Sequence, residues 1–239
     1  MRLSGLSLLV ALAVIIGLAI GWIPASYSSR TVVDISWPNC KITPVDNSTF
    51  GIVGVNGGLD FRPNPCLALE SSWFSHLSLY LNTGYPGKSF GEKFKSYPNK
   101  CNLKNTICLA YNYGYNATIY SLKYAAKEGA HTTHWWLDVE TDNSWTNNPI
   151  INRASLEGAI FALRQNSFLP LKIGFYSTKT QWDIITGNWR NYLPSWVGTG
   201  SSSSKAAVRA CKQPSFNGGS ILFSQYTKGL DKNYVCVLK

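Results

Sequence analysis

Short apolar and β-branched segments recur along the chain, and most are followed by a turn signal or a polar residue. Eight of them predict strands, at 31–36, 50–55, 77–81, 135–139, 171–176, 195–197, 221–225 and 234–238. Apolar positions at helical spacing predict helices at 118–127 and 152–163, and a shorter one at 180–186. Strands that alternate with helices predict a parallel sheet, and eight strands predict a closed barrel. The later connections are too short for full helices, so we expect an irregular α/β, TIM-type (β/α) barrel.

The first residues predict an export segment that is not part of this fold. Arg2 precedes an uncharged, mostly apolar run at 6–23, and Ala25 lies where a signal peptide could end. The run is also nearly long enough to span a bilayer. Residues 1–28 are therefore interpreted as a signal peptide or an N-terminal membrane anchor. Residues 29–239 are expected to form one domain that is secreted or held on the extracellular face of the membrane, with 201–204 as a flexible loop.

The cysteines agree with export, because an even set in an exported chain favours disulfides. There are six of them: Cys40, Cys66, Cys101, Cys108, Cys211 and Cys236. Spacing suggests that Cys101 and Cys108 close a short loop, which leaves the first two cysteines as one pair and the last two as another. Sequence alone leaves this connectivity open.

Asp138 and Glu140 are the first candidates for chemistry. They follow the apolar run at 135–137, and residues two apart in a strand point to the same face. Paired carboxyl groups can cleave a glycosidic bond, one donating a proton and the other stabilising or attacking the sugar. Acids are scarce, with 12 Asp and Glu against 22 Lys and Arg, so ordinary surface solvation explains this pair poorly. The structural alternative is a buried acid satisfied by a lysine or by backbone donors.

Two further acids lie where predicted strands begin or end. Asp34 is near the end of the first strand, and Asp231 comes just before the last. In a barrel most of these positions converge on one rim, which favours a catalytic interpretation of the four acids. Other side chains near the predicted strand ends are candidate substrate contacts: Asn56, Tyr113, Tyr176, Trp196 and Gln225.

Other patterns carry less weight. The formal charge of +10 comes from scattered basic residues without a nucleic-acid motif, so we expect no nucleic-acid partner. An anionic cell envelope and a merely soluble basic surface explain it equally well. Residues 87–91 fit a nucleophile elbow, but no predicted strand feeds them. His131 and His134 lack a third ligand, so we expect no metal site.

The order of several motifs resembles family 25 of the glycoside hydrolases. These proteins are lysozyme-type muramidases with an irregular barrel of about five strand–helix units and three further strands. The resemblance covers about residues 31–238, and the segments at 54–58, 64–67 and 135–140 resemble a secreted, disulfide-bearing branch related to that family. The matching motifs are Asp34-Ile35-Ser36, Asp138-Val139-Glu140, Gly174-Phe175-Tyr176-Ser177, Pro194-Ser195-Trp196-Val197, Gln225-Tyr226-Thr227 and Asp231-Lys232-Asn233.

The resemblance implies that Glu140 is the general acid and that Asp138 is its partner, which steers the 2-acetamido group or stabilises the charged intermediate, with Asp34 and Asp231 as flanking acids. For a general acid we expect an apolar or like-charged setting that raises the pKa of Glu140, with Asp138 ionised beside it. We therefore expect an exported monomeric glycosidase that hydrolyses N-acetylated glycan, peptidoglycan above all, without cofactor or metal. The alternatives are a non-catalytic glycan-binding or cell-envelope protein on the same barrel, and a glycosidase for another extracellular polymer.

Overall fold

Eight strands form one closed barrel in a computed structural model that describes residues 31–42, 50–165 and 170–236. Strands β1 to β7 pair in parallel in chain order, and β8 closes the barrel by pairing antiparallel with both β7 and β1. The predicted export segment lies outside the described residues. The strands are β1 (Thr31–Ile35), β2 (Phe50–Gly54), β3 (His76–Asn82), β4 (His134–Asp138), β5 (Lys172–Ser177), β6 (Ser195–Gly198), β7 (Ile221–Lys228) and β8 (Leu230–Val235).

The described helices lie in the connections between strands. Helix α5 shows how local sequence sets its limits: the Thr178 side chain accepts a hydrogen bond from the Gln181 backbone N–H at its start, and Gly187 is left-handed (φ 59°) at its end. Among the described residues, no helix is long and apolar enough to cross a membrane. The helices are α1 (Leu67–Ser72), α2 (Lys88–Gly91), α3 (Thr106–Lys127), α4 (Pro149–Gln165), α5 (Lys179–Thr186) and α6 (Ser204–Ala210).

Side chains along the strands alternate between two apolar layers, as a pleated strand requires. On β4, Trp136 belongs to the cluster that fills the barrel interior. Leu137 and Val139 belong to the larger cluster that packs the outside of the barrel against the helices. This alternation turns Asp138 and Glu140 to the inner side together, so the prediction that they share one face is confirmed.

The main differences from the predicted elements are at β8 and α3. The last strand was predicted at 234–238, but β8 is Leu230–Val235 and forms a hairpin with β7 through Gly229 (φ 77°). Asp231, Lys232 and Asn233 make β8 polar near the acid-bearing end of the barrel, so it lacks the apolar pattern of a strand. Helix α3 begins at Thr106, well before the predicted start at residue 118, because the Asn105 side chain caps it.

All three disulfides have the pairing that spacing suggested. Cys101 is bonded to Cys108 across the start of α3. The first two cysteines of the set form the second bond and the last two form the third, which ties α6 to the end of β8. No free cysteine is present among the described residues.

Candidate active site

The predicted acids meet in a cleft of about 230 Å³ at the C-terminal ends of the parallel strands. The strand register brings them there. Asp138 lies beside Asn82 on β3 and Tyr176 on β5, while Asp34 lies opposite Asp231 across the antiparallel β1–β8 pair. The cleft is lined by Asp34, Tyr80, Asp138, Glu140, Tyr176, Trp196, Gln225, Thr227 and Asp231.

Asp138 is more enclosed than Glu140, with only 3% of its surface exposed. Its Oδ2 accepts a hydrogen bond of 2.5 Å from Asn82 Nδ2, whereas its Oδ1 has no hydrogen-bond partner. Its backbone oxygen accepts bonds from the Thr83 backbone N–H (3.0 Å) and hydroxyl (2.6 Å). The main chain of Asp138 is thus held firmly, and one buried carboxyl oxygen has no hydrogen-bond partner among the described residues.

Glu140 lies two residues further on and is partly exposed at the opening of the cleft. Its backbone oxygen accepts bonds from Trp145 Nε1 (2.9 Å) and from the Asn143 backbone N–H (3.1 Å). Its carboxyl group is hydrogen-bonded by the Gln181 side chain, from α5. These contacts fix the loop after β4 while the carboxyl group remains accessible.

Asp34 is held by two chains of hydrogen bonds that converge on its carboxyl group. Tyr176 donates its hydroxyl to Gln225 Oε1 (2.7 Å), and Gln225 Nε2 donates to both Asp34 oxygens (3.1 and 3.2 Å). Trp196 Nε1 donates to Asn233 Oδ1 (2.6 Å), and Asn233 Nδ2 donates to Asp34 Oδ2 (2.6 Å). Tyr176 and Trp196 therefore orient the side-chain amides of Gln225 and Asn233, and these two amides in turn orient the Asp34 carboxyl group.

Burial and mutual repulsion keep protons in the cleft. Burial raises the pKa of Asp34 to about 7, the charge of Asp231 adds to this, and the amide donors act against it. Burial raises the pKa of Asp138 well above its usual range, helped by the charges of Glu140 and Asp34. Burial and the charge of Asp142 also raise the pKa of Glu140. The expectation of a raised pKa for Glu140 is confirmed.

The direction in which the pKa of Asp138 is shifted runs against the expectation that Asp138 is ionised beside Glu140. Asp138 is almost fully buried and is faced by two other acids, so desolvation and repulsion both disfavour its charged form. Glu140 is partly exposed and receives a hydrogen bond from Gln181, which favours its charged form. Burial therefore raises the pKa of both acids of the pair.

The predicted substrate contacts divide into two groups. Tyr176, Trp196 and Gln225 line the cleft as expected. Asn56 does not line it, because both ends of its side chain are bonded to the backbone of Asn82. Tyr113 is buried on α3 rather than at a strand end, and its hydroxyl donates to Asp60 (3.2 Å), away from the cleft.

Several residues of the site were not predicted from the sequence. Asn82 and Asn233 carry no pattern that marks them, since an isolated Asn at a strand end is most simply interpreted as a turn signal. Gln181 approaches from the first turn of α5. Within the described part of the chain, no group of three or more His, Cys, Asp or Glu residues could hold a metal ion.

The fold and the site define an irregular α/β barrel with an acid cleft at the C-terminal rim of its strands. Residues 107–207, which include Asp138 and Glu140, match the family model described as Lysozyme-like protein 1. Comparison with curated protein sequences gives no match. The family match thus covers the central part of the chain, from α3 into α6.

Three solved structures with a similar barrel are an endolysin, an autolysin and a family 25 glycosyl hydrolase. The CTP1L endolysin is 12% identical, with 87% of this chain and 66% of the endolysin covered (TM-score 0.53). The modular autolysin LytC from Streptococcus pneumoniae, in complex with a synthetic peptidoglycan ligand, is 12% identical, with 85% of this chain and 46% of LytC covered (TM-score 0.54). A family 25 glycosyl hydrolase from Bacillus anthracis is 13% identical, with 88% and 90% covered (TM-score 0.52).

These matches confirm the predicted resemblance to family 25 at the level of the fold. The chain spans almost the whole of the Bacillus anthracis hydrolase, but only about two thirds of the endolysin and under half of LytC. It is similar to lysozyme-like proteins in its central sequence and to family 25 in its barrel.

Proposed function

We propose that this protein is an exported glycoside hydrolase that cleaves N-acetylated glycan, with peptidoglycan as its substrate. The observation that carries the proposal is the meeting of Asp138 and Glu140 with Asp34 and Asp231 in one open cleft. Neither the cleft nor its hydrogen bonds include a lysine, so the structural alternative of an acid neutralised by a buried lysine has no support among the described residues.

Glu140 is suited to act as the general acid. It is at the opening of the cleft, where a glycosidic oxygen can reach it, and burial holds its pKa above the usual range for a glutamate. It would transfer its proton to the leaving oxygen as the bond from that oxygen to the anomeric carbon breaks. The resulting carboxylate would then take a proton from the incoming water.

Asp138 is suited to meet the 2-acetamido group of the sugar. Asp138 and Glu140 project from the same side of one strand, which leaves little room for a nucleophile on the opposite face of the sugar. A substrate-assisted route fits this placement, because the acetamido oxygen attacks the anomeric carbon and Asp138 orients the group. Asp34 and Asp231 would tune the charge of the pair.

Peptidoglycan is the substrate that agrees best with the chain as a whole. The 2-acetamido group is a feature of its sugars, and LytC, which shares the barrel, has a solved structure in complex with a synthetic peptidoglycan ligand. Export, three disulfides and a net charge of +10 suit a protein that works at an anionic cell envelope.

Digestion of purified peptidoglycan by wild type and Glu140→Gln, followed by mass analysis of the soluble fragments, tests the proposal. We expect wild type to release muropeptides with reducing muramic acid ends. Glu140→Gln should be slower by about two to four orders of magnitude while it still binds glycan, because glutamine is nearly isosteric but cannot donate an acidic proton.

Glu157→Gln is the matched control, because Glu157 lies on α4 and does not line the acid cleft. It should retain wild-type activity. Release by Glu140→Gln at the wild-type rate would overturn the assignment of the general acid. Binding of peptidoglycan by wild type without release of any fragment would favour the non-catalytic glycan-binding protein instead.

A further inference from the structure

Asn82 makes the one side-chain hydrogen bond that the structure gives to the Asp138 carboxyl group. The bond runs from Asn82 Nδ2 to Asp138 Oδ2 at 2.5 Å, between neighbouring residues on β3 and β4. The Asn82 amide donates through nitrogen, so Oδ2 accepts in this bond and carries no proton along it. Oδ2 thus has a fixed partner, whereas Oδ1 has none among the described residues.

Asn82 is itself held in place by Asn56. The Asn56 side chain donates from Nδ2 to the Asn82 backbone oxygen (2.9 Å) and accepts at Oδ1 from the Asn82 backbone N–H (2.8 Å). Asn56 is 2% exposed and Asn82 is 9% exposed, so water competes little for these bonds. The two bonds also replace the backbone partners that β3 would otherwise need at this point.

Asp138 Oδ1 has no hydrogen-bond partner, although it is buried and belongs to a residue that lines the cleft. A buried carboxyl oxygen without a partner is costly, and such atoms are often found where a substrate supplies the missing bond. The acids and hydroxyls that face Asp138 are Asp34 on β1, Tyr80 on β3, Glu140 after β4 and Tyr176 on β5.

We propose that Asn82, fixed by Asn56, is a positioning residue that binds Oδ2 of Asp138, sets the orientation of its carboxyl group towards the cleft and leaves Oδ1 as the oxygen whose missing hydrogen bond the substrate supplies. The hydrogen bonds from Asn56 to Asn82 and from Asn82 to Asp138 hold the carboxyl group in one orientation. Oδ1 then forms a hydrogen bond with the substrate, for which the N–H of a 2-acetamido group is suited, because that bond leaves the acetamido oxygen free to attack.

This inference deepens the proposed function and rests on it for the identity of the substrate. Loss of the Asn82 amide frees the carboxyl group to rotate, so kcat should fall by about 100-fold with little change in KM. Loss of a donor also disfavours the charged carboxylate, so the titration of Asp138 should move to higher pH.

The test uses Asn82→Ala, with Thr83→Val as the matched control. Thr83→Val deletes a bond from a hydroxyl to the backbone oxygen of Asp138 and keeps the side-chain volume. It should lower stability but leave the Asp138 titration at its wild-type pH. If Asn82→Ala does not fold, Asn82→Leu, of similar shape and without a donor, replaces it.

Titration of the aspartate carboxyl carbons by ¹³C NMR measures the pH at which Asp138 ionises, and it requires no enzymatic activity. A shift of Asp138 in the Asn82 variant alone supports the proposal, even if wild type proves inactive on peptidoglycan and the proposed function fails. An unchanged Asp138 titration in the Asn82 variant, or an equal shift in Thr83→Val, overturns it. So does an active Asn82 variant with wild-type kcat.

Discussion

Asp34 carries a stability cost that grows with pH, and its replacement by asparagine should remove that cost. Burial raises its pKa from the ordinary value of 3.8 to about 7. A carboxyl group whose pKa is raised by folding stabilises the fold through its protonated form. This contribution is fully present below about pH 4, and it is lost as the pH rises through about 7.

The magnitude follows from this difference in pKa. Each pKa unit between the folded and unfolded chain is worth about 1.4 kcal/mol. The raised pKa of Asp34 therefore lowers the unfolding free energy by about 4 kcal/mol at pH 8. At about pH 5 the same effect is somewhat under 2 kcal/mol, because there the carboxyl group ionises in the unfolded chain but not in the folded one. Between these two pH values the folded state should lose roughly 2 to 3 kcal/mol through Asp34 alone.

Asp34→Asn is uncharged at both pH values and retains an oxygen that can accept from Asn233 Nδ2. We expect the variant to lose less unfolding free energy than wild type between about pH 5 and pH 8, by that same 2 to 3 kcal/mol. Urea denaturation at the two pH values, followed by tryptophan fluorescence, measures it. Its hydrolysis should fall less than that of Glu140→Gln, or shift in pH profile.

Glu92→Gln is the control, since Glu92 is partly exposed and does not line the acid cleft. It should keep the wild-type pH dependence. An Asp34→Asn protein whose stability falls with pH as steeply as wild type would refute the argument that burial of this carboxyl group is costly.

Two stability predictions concern packing outside the acids. Arg153→Ala should lower the unfolding free energy by roughly 1.5 kcal/mol in urea denaturation. Arg153 donates hydrogen bonds to the backbone oxygens of Thr186 and Gly187 at the end of α5, and alanine cannot. A loss below about 0.5 kcal/mol would show that water replaces these bonds. Gly174→Ala should cost about 1 to 3 kcal/mol by thermal unfolding, because its Cβ would lie 2.3 Å from the Trp136 ring. An unchanged melting temperature would mean that Trp136 moves freely inside the barrel.

Much of the fold was predictable because its signals are local. The apolar runs of β1 to β7 appear in the sequence within a residue or two of their limits, apart from the polar end of β7 beyond residue 225. Helix α5 likewise has its cap and its terminal glycine in sequence. Strand β8 was misplaced because its polar residues hide the apolar pattern of a strand: Asp231 lines the acid cleft, and Asn233 is buried where it bonds Asp34. The predicted helix was shorter than α3 because Asn112 and Gly114 interrupt the apolar pattern in its first half, although both residues are buried.

The acids of the site were also predictable from the sequence. Asp138 and Glu140 follow an apolar run and are two residues apart, a spacing that puts both side chains on one face of a strand. Their partners were not predictable. Asn82 reaches Asp138 across 56 residues, and Asn233 reaches Asp34 across 199. An asparagine has no preference in sequence that indicates such a bond, because the bond depends on which residues the strand register places side by side.

By itself, the sequence determined that this chain forms a barrel of short strands, with three disulfides and four acids near the strand ends. Those properties depend on side-chain periodicity and on spacing, which are written along the chain. Only the tertiary structure decided that burial raises the pKa of both Asp138 and Glu140, and that Asn56 and Tyr113 do not line the cleft. Burial and hydrogen-bond partners set both results, and each depends on residues far apart in sequence that meet only when the barrel closes.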